Sequence, residues 1–181
     1  MKVVSINVGQ PRELYWRDEI VRTSIFKTPV SGRVRVRLLN LDGDEQSDLT
    51  VHGGVEKAVY AYPSEHYAFW RQELSVDDLP WGSFGENLTL EGLLEADTRV
   101  GDRLRIGSAE FVITKPRLPC FKLNLRFDRM DMVKRFLRSG RTGFYLAVAE
   151  EGTVEAGDLV VLMSRDESSA SITDVLRQYT R

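Results

Sequence analysis

Residues 33–38 read Arg-Val-Arg-Val-Arg-Leu, and this strict alternation of charged and apolar side chains is the strongest constraint on what the chain folds into. Successive side chains of a strand point to opposite faces. Val34, Val36 and Leu38 therefore share one face and three arginines the other, the mark of a half-buried strand. The arginine row reads as a solvated face. The same period recurs near the start, where Val4, Ile6 and Val8 alternate with Ser5 and Asn7. Further strands are expected at Ala58–Tyr62, Glu110–Thr114, Tyr145–Ala149 and Thr153–Met163. Asp42-Gly43 marks a turn, and Val100–Ile106 and Ala156–Leu162 each place Gly-Asp just before a strand.

Helical spacing appears in three places. After Pro63 and Ser64, which suit a helix start, Tyr67, Trp70 and Leu74 form one apolar face expected in the core. Met130–Arg138 predicts a second helix, started at Asp128 or Asp131, with Lys134, Arg135 and Arg138 toward its negative end and Gly140 as its stop. In the tail, Ser171 or Thr173 caps a short helix with an Ile172, Val175, Leu176 and Tyr179 stripe. Many short strands with glycine turns and few helices imply a barrel-like or sandwich β fold with helical insertions.

The chain has 181 residues, 42% hydrophobic, enough for one sizeable core. Lys and Arg total 25 against 27 Asp and Glu, a net charge of -2, which offers no bulk attraction to nucleic acid or anionic membrane. The N-terminal apolar run is broken by Ser5 and Asn7 and reads as a strand, not a signal peptide. The late run Leu159–Met163 is too short to cross a bilayer. With one cysteine, the chain is expected to reside in a reducing compartment, the cytoplasm.

That cysteine, Cys120, lies in Thr114–Asn124 (TKPRLPCFKLN), behind Pro119 and close to Lys115, Arg117 and Lys122. A thiolate is both nucleophile and metal ligand, and neighbouring cations favour it. The prolines stiffen the loop and fix the direction of the thiol. Two readings stand side by side, a functional thiolate and a buried small hydrophobe. In Asp48–Val59, His52 precedes Gly53-Gly54, whose backbone amides suit an anion, with Lys57 a short reach downstream; a plain turn explains the glycines equally. In Trp81–Leu93, Glu86-Asn87 offers an acid and an amide, or a loop bonded to its own backbone. One Cys and two His make zinc only with carboxylate help. A Cys120–His52 nucleophilic pair is one arrangement. A metal arriving inside an organic cofactor that already provides sulfur needs only one protein thiolate, and a phosphate on that cofactor would need cations and exposed amides.

Taken in order, DLTVHGGVEKAVYAYPSEHYAFW, FGENLTLEGL, VGDRLRIGSAEFVITKPRLPCFKLN and GFYLAVAEEGTVEAGDLVVL resemble the MOSC domain, specifically its stand-alone bacterial YiiM-like branch. The resemblance spans residues 1–165 as a MOSC domain. It leaves 166–181 as a tail whose short helix looks like the first of a three-helix module carried by many YiiM-like proteins. It implies a closed β-barrel of the pyruvate-kinase-barrel type and binding of the molybdenum cofactor (molybdopterin). Cys120 is then the metal ligand and catalytic residue. His52, Gly53, Gly54, Lys57, Glu86, Asn87, Lys115, Arg117 and Lys122 are the expected cofactor-binding residues. The implied function is reduction of N-hydroxylated bases and amidoximes. The alternative is a non-redox carrier of sulfur or of the cofactor, using a Cys120 persulfide or thiolate. The implied partners are an N-hydroxylated small molecule and an electron-donor protein, since the sequence has no flavin, nicotinamide or iron–sulfur motif. A homodimer is left open, and neither a membrane nor a nucleic-acid polymer is expected. His52, Gly53, Gly54, Asn87, Arg117 and Cys120 are expected to meet in one cleft at a barrel rim.

Overall fold

The computed structural model describes residues 1–47 and 53–180. In chain order the elements are β1 (Lys2–Val8), β2 (Arg12–Trp16), β3 (Glu19–Thr23), β4 (Thr28–Val30), β5 (Val34–Val36), β6 (Val59–Pro63), α1 (His66–Leu74), β7 (Leu88–Glu91), β8 (Arg103–Ile106), β9 (Ala109–Pro116), α2 (Phe121–Phe127), α3 (Met132–Ser139), β10 (Phe144–Glu150), β11 (Gly152–Val154), β12 (Val160–Ser164) and α4 (Ile172–Arg177), with a 3-10 turn at Val55–Lys57. Eight strands form one mixed sheet in the order β12-β8-β9-β10-β6-β7-β1-β4, in which β6 and β7 are parallel and the other neighbours antiparallel. Two-stranded pairs, β5 with β11 and β2 with β3, complete the β structure.

The closed barrel expected from the sequence does not form. The sheet is open, with β4 and β12 as its edges. The physical reason lies along β1. Its second half, Ile6–Val8, is taken up by β4, a three-residue strand containing Pro29. Proline has no N–H to give a further neighbour and belongs at an edge. The first half of β1 approaches the turn before β12, where Val160 N–H donates to Met1 O at 3.1 Å, Val3 N–H to Asp158 O at 2.9 Å and Gly157 N–H to Val3 O at 2.8 Å, but these bonds make an isolated bridge, Lys2 with Leu159, and do not extend into a strand ladder.

The Arg33–Leu38 alternation yields a shorter strand than its pattern predicts. Val34 and Val36 are buried, yet Leu38 is 50% exposed. The chain folds back after Val36, with Asp42 N–H donating to Arg35 O at 2.8 Å, so Leu41 occupies the buried place that the alternation assigned to Leu38. The two Gly-Asp turns have a joint purpose: Gly101 and Gly157 both take positive φ, and the strands that follow, β8 and β12, pair with each other. α1 buries Tyr67, Trp70 and Leu74 as its spacing predicts. α3 ends at Gly140, with φ 67. Asp128 closes α2, while Asp131 stands at the start of α3 without capping it through its side chain. Ser171 caps α4 by accepting from Asp174 N–H, but Tyr179 lies beyond the helix and is exposed.

Two apolar clusters hold these elements. One lies along the sheet, from Val3 and Ile6 through Leu90, Phe111 and Phe144. The other is aromatic and joins the sheet to the helices: Trp70 stacks on Phe136 at 5.6 Å, Tyr62 packs on Phe84 at 4.7 Å, and Trp70 Nε1 donates to Tyr62 Oη at 2.7 Å. Aromatic rings bury large areas, and the buried polar tips need partners: Tyr62 Oη accepts from Trp70 and donates to Arg141 O at 3.0 Å. Among the described residues, no helix is long and apolar enough to cross a membrane.

Gly143 opens β10, and its carbonyl accepts from Arg117 N–H at 3.2 Å. Its φ is +64, and a Cβ there would run into the Ala61 carbonyl oxygen. Gly143→Ala should therefore lower the unfolding free energy by at least about 1–3 kcal/mol. Urea unfolding monitored by tryptophan fluorescence checks this; parental stability would refute the close approach.

Candidate functional site

β9 carries the chain to Arg117, and Leu118, Pro119 and Cys120 then lead into α2. The stretch expected to be a loop throughout becomes helical at Phe121, with Cys120 as the extended residue before the first turn. Cys120 is half-buried and unpaired. Arg117 turns inward and retains only 6% of its exposure. Its guanidinium carbon lies 5.0 Å from the Tyr60 ring centre and 5.2 Å from that of Phe136. Aromatic faces attract a cation, most strongly where water is excluded. Yet Arg117 Nη1 is buried with no hydrogen-bond partner, and so is Ser24 Oγ. Both residues line the same cleft as Cys120.

A second buried cation stands in this cleft. Lys27 is ion-paired with Asp44, both almost wholly enclosed. Burial pulls the Lys27 pKa down, and the Asp44 carboxylate opposes that fall. Asp44 is held from three sides: Lys27 Nζ and the Gly9 N–H at 2.8 Å on one oxygen, and Asn87 Nδ2 at 2.9 Å on the other. Asn87 in turn accepts from the Tyr60 N–H at 3.0 Å, and its own N–H donates to Tyr60 O at 2.8 Å. It thus fastens the Asp44 loop to β6. Burial raises the pKa values of the Tyr60 and Tyr145 phenols, with Arg117 opposing, so both remain neutral.

The structure brings Lys57, Asn87, Arg117, Cys120 and Lys122 together around this cleft. Lys122 Nζ reaches Ser47 Oγ at 3.5 Å. Gly54 adjoins the cleft wall. Gly54 has φ 93, and its N–H donates to Gln46 Oε1 at 3.2 Å, Gln46 being part of the cleft wall. Two residues are placed elsewhere. Lys115 is paired with Glu56 at the surface. Glu86 is wholly buried behind the wall, where its carboxylate accepts from Tyr67 Oη, Gly82 N–H at 2.8 Å, Phe84 N–H at 3.1 Å and Thr89 Oγ1 at 3.0 Å. His52 lies outside the described residues. His66 is buried against Glu95, with Nε2 at 2.8 Å.

Lys27, Asp44 and Ser24 are cleft residues that the sequence reading missed. The one available signal was the Asp42-Gly43 turn, which brings the next residue, Asp44, back toward β1. Nothing about Lys27 separates it from a solvated lysine until its burial is known. Among the described residues, no cluster of three or more His, Cys, Asp or Glu side chains could hold a metal ion.

The model of the MOSC domain family matches residues 48–161. The chain is 42% identical over 170 residues to the uncharacterized protein YflK of Bacillus subtilis, covering 94% of this chain and 76% of that protein. It is 33% identical over 160 residues to a protein named reductase in Gibberella moniliformis, of which it covers only 28%. Among solved structures, YiiM from Geobacillus stearothermophilus superposes with a TM-score of 0.81 at 35% identity, covering 98% of this chain and 83% of that one.

Two outcomes follow from the geometry. Asn87→Ala leaves buried groups of Tyr60 and Asp44 unpaired, at about 1–3 kcal/mol for each, and a urea unfolding curve equal to the parent's would contradict this. Burial raises the Glu86 pKa despite its four donors. A carboxyl that binds its proton more tightly when folded contributes most at and below the ordinary glutamate range, about pH 4–5. That contribution is lost as pH rises through the raised value. Glu86→Gln removes this titration, so the variant should gain stability relative to the parent as pH rises above that range. Unfolding across pH measures it, and a pH-independent difference would contradict the assignment.

Proposed function

The chain belongs to the MOSC domain family, among its YiiM-like proteins, and on that premise we propose that the cleft around Cys120 binds the molybdenum cofactor and reduces N-hydroxylated compounds with electrons from a donor protein. The observation that carries the proposal is the buried, unpartnered Arg117 Nη1 in the same cleft as the thiol. A buried cationic donor without a partner is costly and is relieved by an anionic ligand. The donor set also fits a cofactor that brings sulfur ligands with its metal, because the chain offers one soft ligand and several cations. When bound, that cofactor supplies a two-electron redox centre and a terminal phosphate.

The chain's own residues divide the remaining work. Cys120 would supply the one soft sulfur ligand from the protein, and soft ligands of this kind tune such metals. Arg117, held against the rings of Tyr60 and Phe136, would offer its unpartnered Nη1 to an anionic group of the cofactor. Lys57 and Lys122 add cationic side chains for its phosphate. Ser24 Oγ offers a further buried hydrogen bond. Asn87 acts indirectly, by holding Asp44 and hence Lys27 in the wall. The name of the fungal relative supports the redox reading over a carrier.

Expression in a host that makes the cofactor tests this. The parent should retain molybdenum and reduce an N-hydroxylated purine when given a reductant, and Cys120→Ser should lose both. Molybdenum retained without reduction would favour a carrier, and equal molybdenum in parent and Cys120→Ser would remove the thiol from the site. Arg117→Met should weaken the cofactor by on the order of 1.5–3 kcal/mol without lowering the melting temperature of the empty protein, since a buried uncompensated charge is removed. Unchanged affinity in a cofactor titration would place Arg117 outside the site.

A further inference from the structure

The reduction proposed above consumes protons as well as electrons. R–NH–OH, two electrons and two protons become R–NH2 and water: the N–O bond breaks, the nitrogen is reduced, and one N–H and one O–H bond form. The electrons come from an external flavin or iron–sulfur donor protein. At least one of the protons must reach the departing oxygen, and the groups lining the cleft differ sharply in their capacity to deliver it.

Arg117 does not release a proton in a protein. Tyr60 and Tyr145 are made weaker acids by burial. Lys57 and Lys122 stand at less enclosed positions and serve better as fixed positive charges. Asp44 accepts from three directions and is engaged as a carboxylate. Lys27 differs from all of these. It is enclosed in the cleft wall, its side chain 8% exposed, and among the described residues its side chain is anchored by Asp44. An ammonium has three donor hydrogens. Asp44 engages one oxygen with Lys27 and is itself clamped by Gly9 and Asn87, so the lysine head is aimed while donor capacity remains.

We propose that Lys27 is the proton donor of the cleft, its ammonium protonating the oxygen as it leaves the substrate nitrogen. The inference rests on the reading that this cleft reduces N-hydroxylated compounds, and it assigns to that chemistry a residue outside the Cys120 loop. The neutral amine left behind is held by Asp44 and reloaded from water at the cleft mouth. Burial makes the exchange easier, since it favours the neutral amine; the charges acting against it are Asp44, paired directly, and Glu86, from behind the wall. Lowering a lysine toward the working pH is how burial converts a structural cation into a general acid.

The test uses the cofactor-loaded parent with Lys27→Arg and Lys27→Ala. Arginine keeps the charge and the pairing with Asp44 but cannot release a proton. Lys27→Arg should retain molybdenum and parental melting while the rate of N-hydroxyl reduction falls by about 10²–10⁴-fold. In Lys27→Ala, added small primary amines should restore part of the rate, with restoration tracking the acidity of the ammonium, a response a purely structural lysine would not show. Lys27→Arg reducing substrate at the parental rate, or losing its molybdenum, overturns the assignment while leaving the reading of the cleft intact. A parent protein that holds no molybdenum overturns that reading and this inference together.

Discussion

The site is organised around a guanidinium kept from water without an acidic partner among the described residues. Removing a cation from solvent costs several kcal/mol even after relaxation. Arg117 recovers part of this from the faces of Tyr60 and Phe136, on β6 and α3, and its backbone is tied to Gly143 at the start of β10. The guanidinium is thus held against β6 and α3 and the backbone against the start of β10, while Nη1 is buried without a hydrogen-bond partner. The aromatic cluster beneath it is more than filler. Phe136 stacks on Trp70, and Tyr62 receives the Trp70 indole N–H, so the face that supports Arg117 is rigid. A loose support would let the side chain swing out to solvent and the cleft would lose its charge.

A second arrangement in the same cleft solves a different problem. Lys27 and Asp44 are each costly to bury alone, and together they are tolerable because Gly9 and Asn87 satisfy the carboxylate. Asn87 links this pair to β6 through both its side chain and its backbone. Glu86, its neighbour in sequence, closes the 82–86 turn from behind with four donors. Adjacent residues of one short motif therefore serve the cleft at two depths, one in its wall and one in the turn that sets the wall in place.

Much of the local structure was legible in the sequence because it depends on local periodicity. The alternation around Val34 and Val36, the Tyr67, Trp70 and Leu74 face and the Gly140 stop all follow from residue spacing. Leu38 departs from its pattern because a fold-back lets Leu41 compete for the same buried place. Barrel closure failed as an expectation because it depends on which strands meet at a distance, and the proline-containing β4 pairs with β1 and forms the edge of the sheet. The β2–β3 hairpin was invisible for a related reason: its turn residues, Arg17 and Asp18, take positive φ without any glycine to announce it. In the cleft, the Cys120 loop could be read from composition, whereas Lys27 and Asp44 become conspicuous only through burial. Lys115 shows the converse, a cation beside the cysteine in sequence that the period of β9 turns toward Glu56 at the surface.

The account stands or falls on whether Cys120 touches the bound cofactor. As the chain has a single cysteine, the rate of iodoacetamide addition, followed by intact-protein mass, reports on that thiol alone. The account predicts modification of the half-buried thiol in cofactor-free protein and strong protection in protein loaded with the molybdenum cofactor. Equal modification rates in the two forms would contradict it.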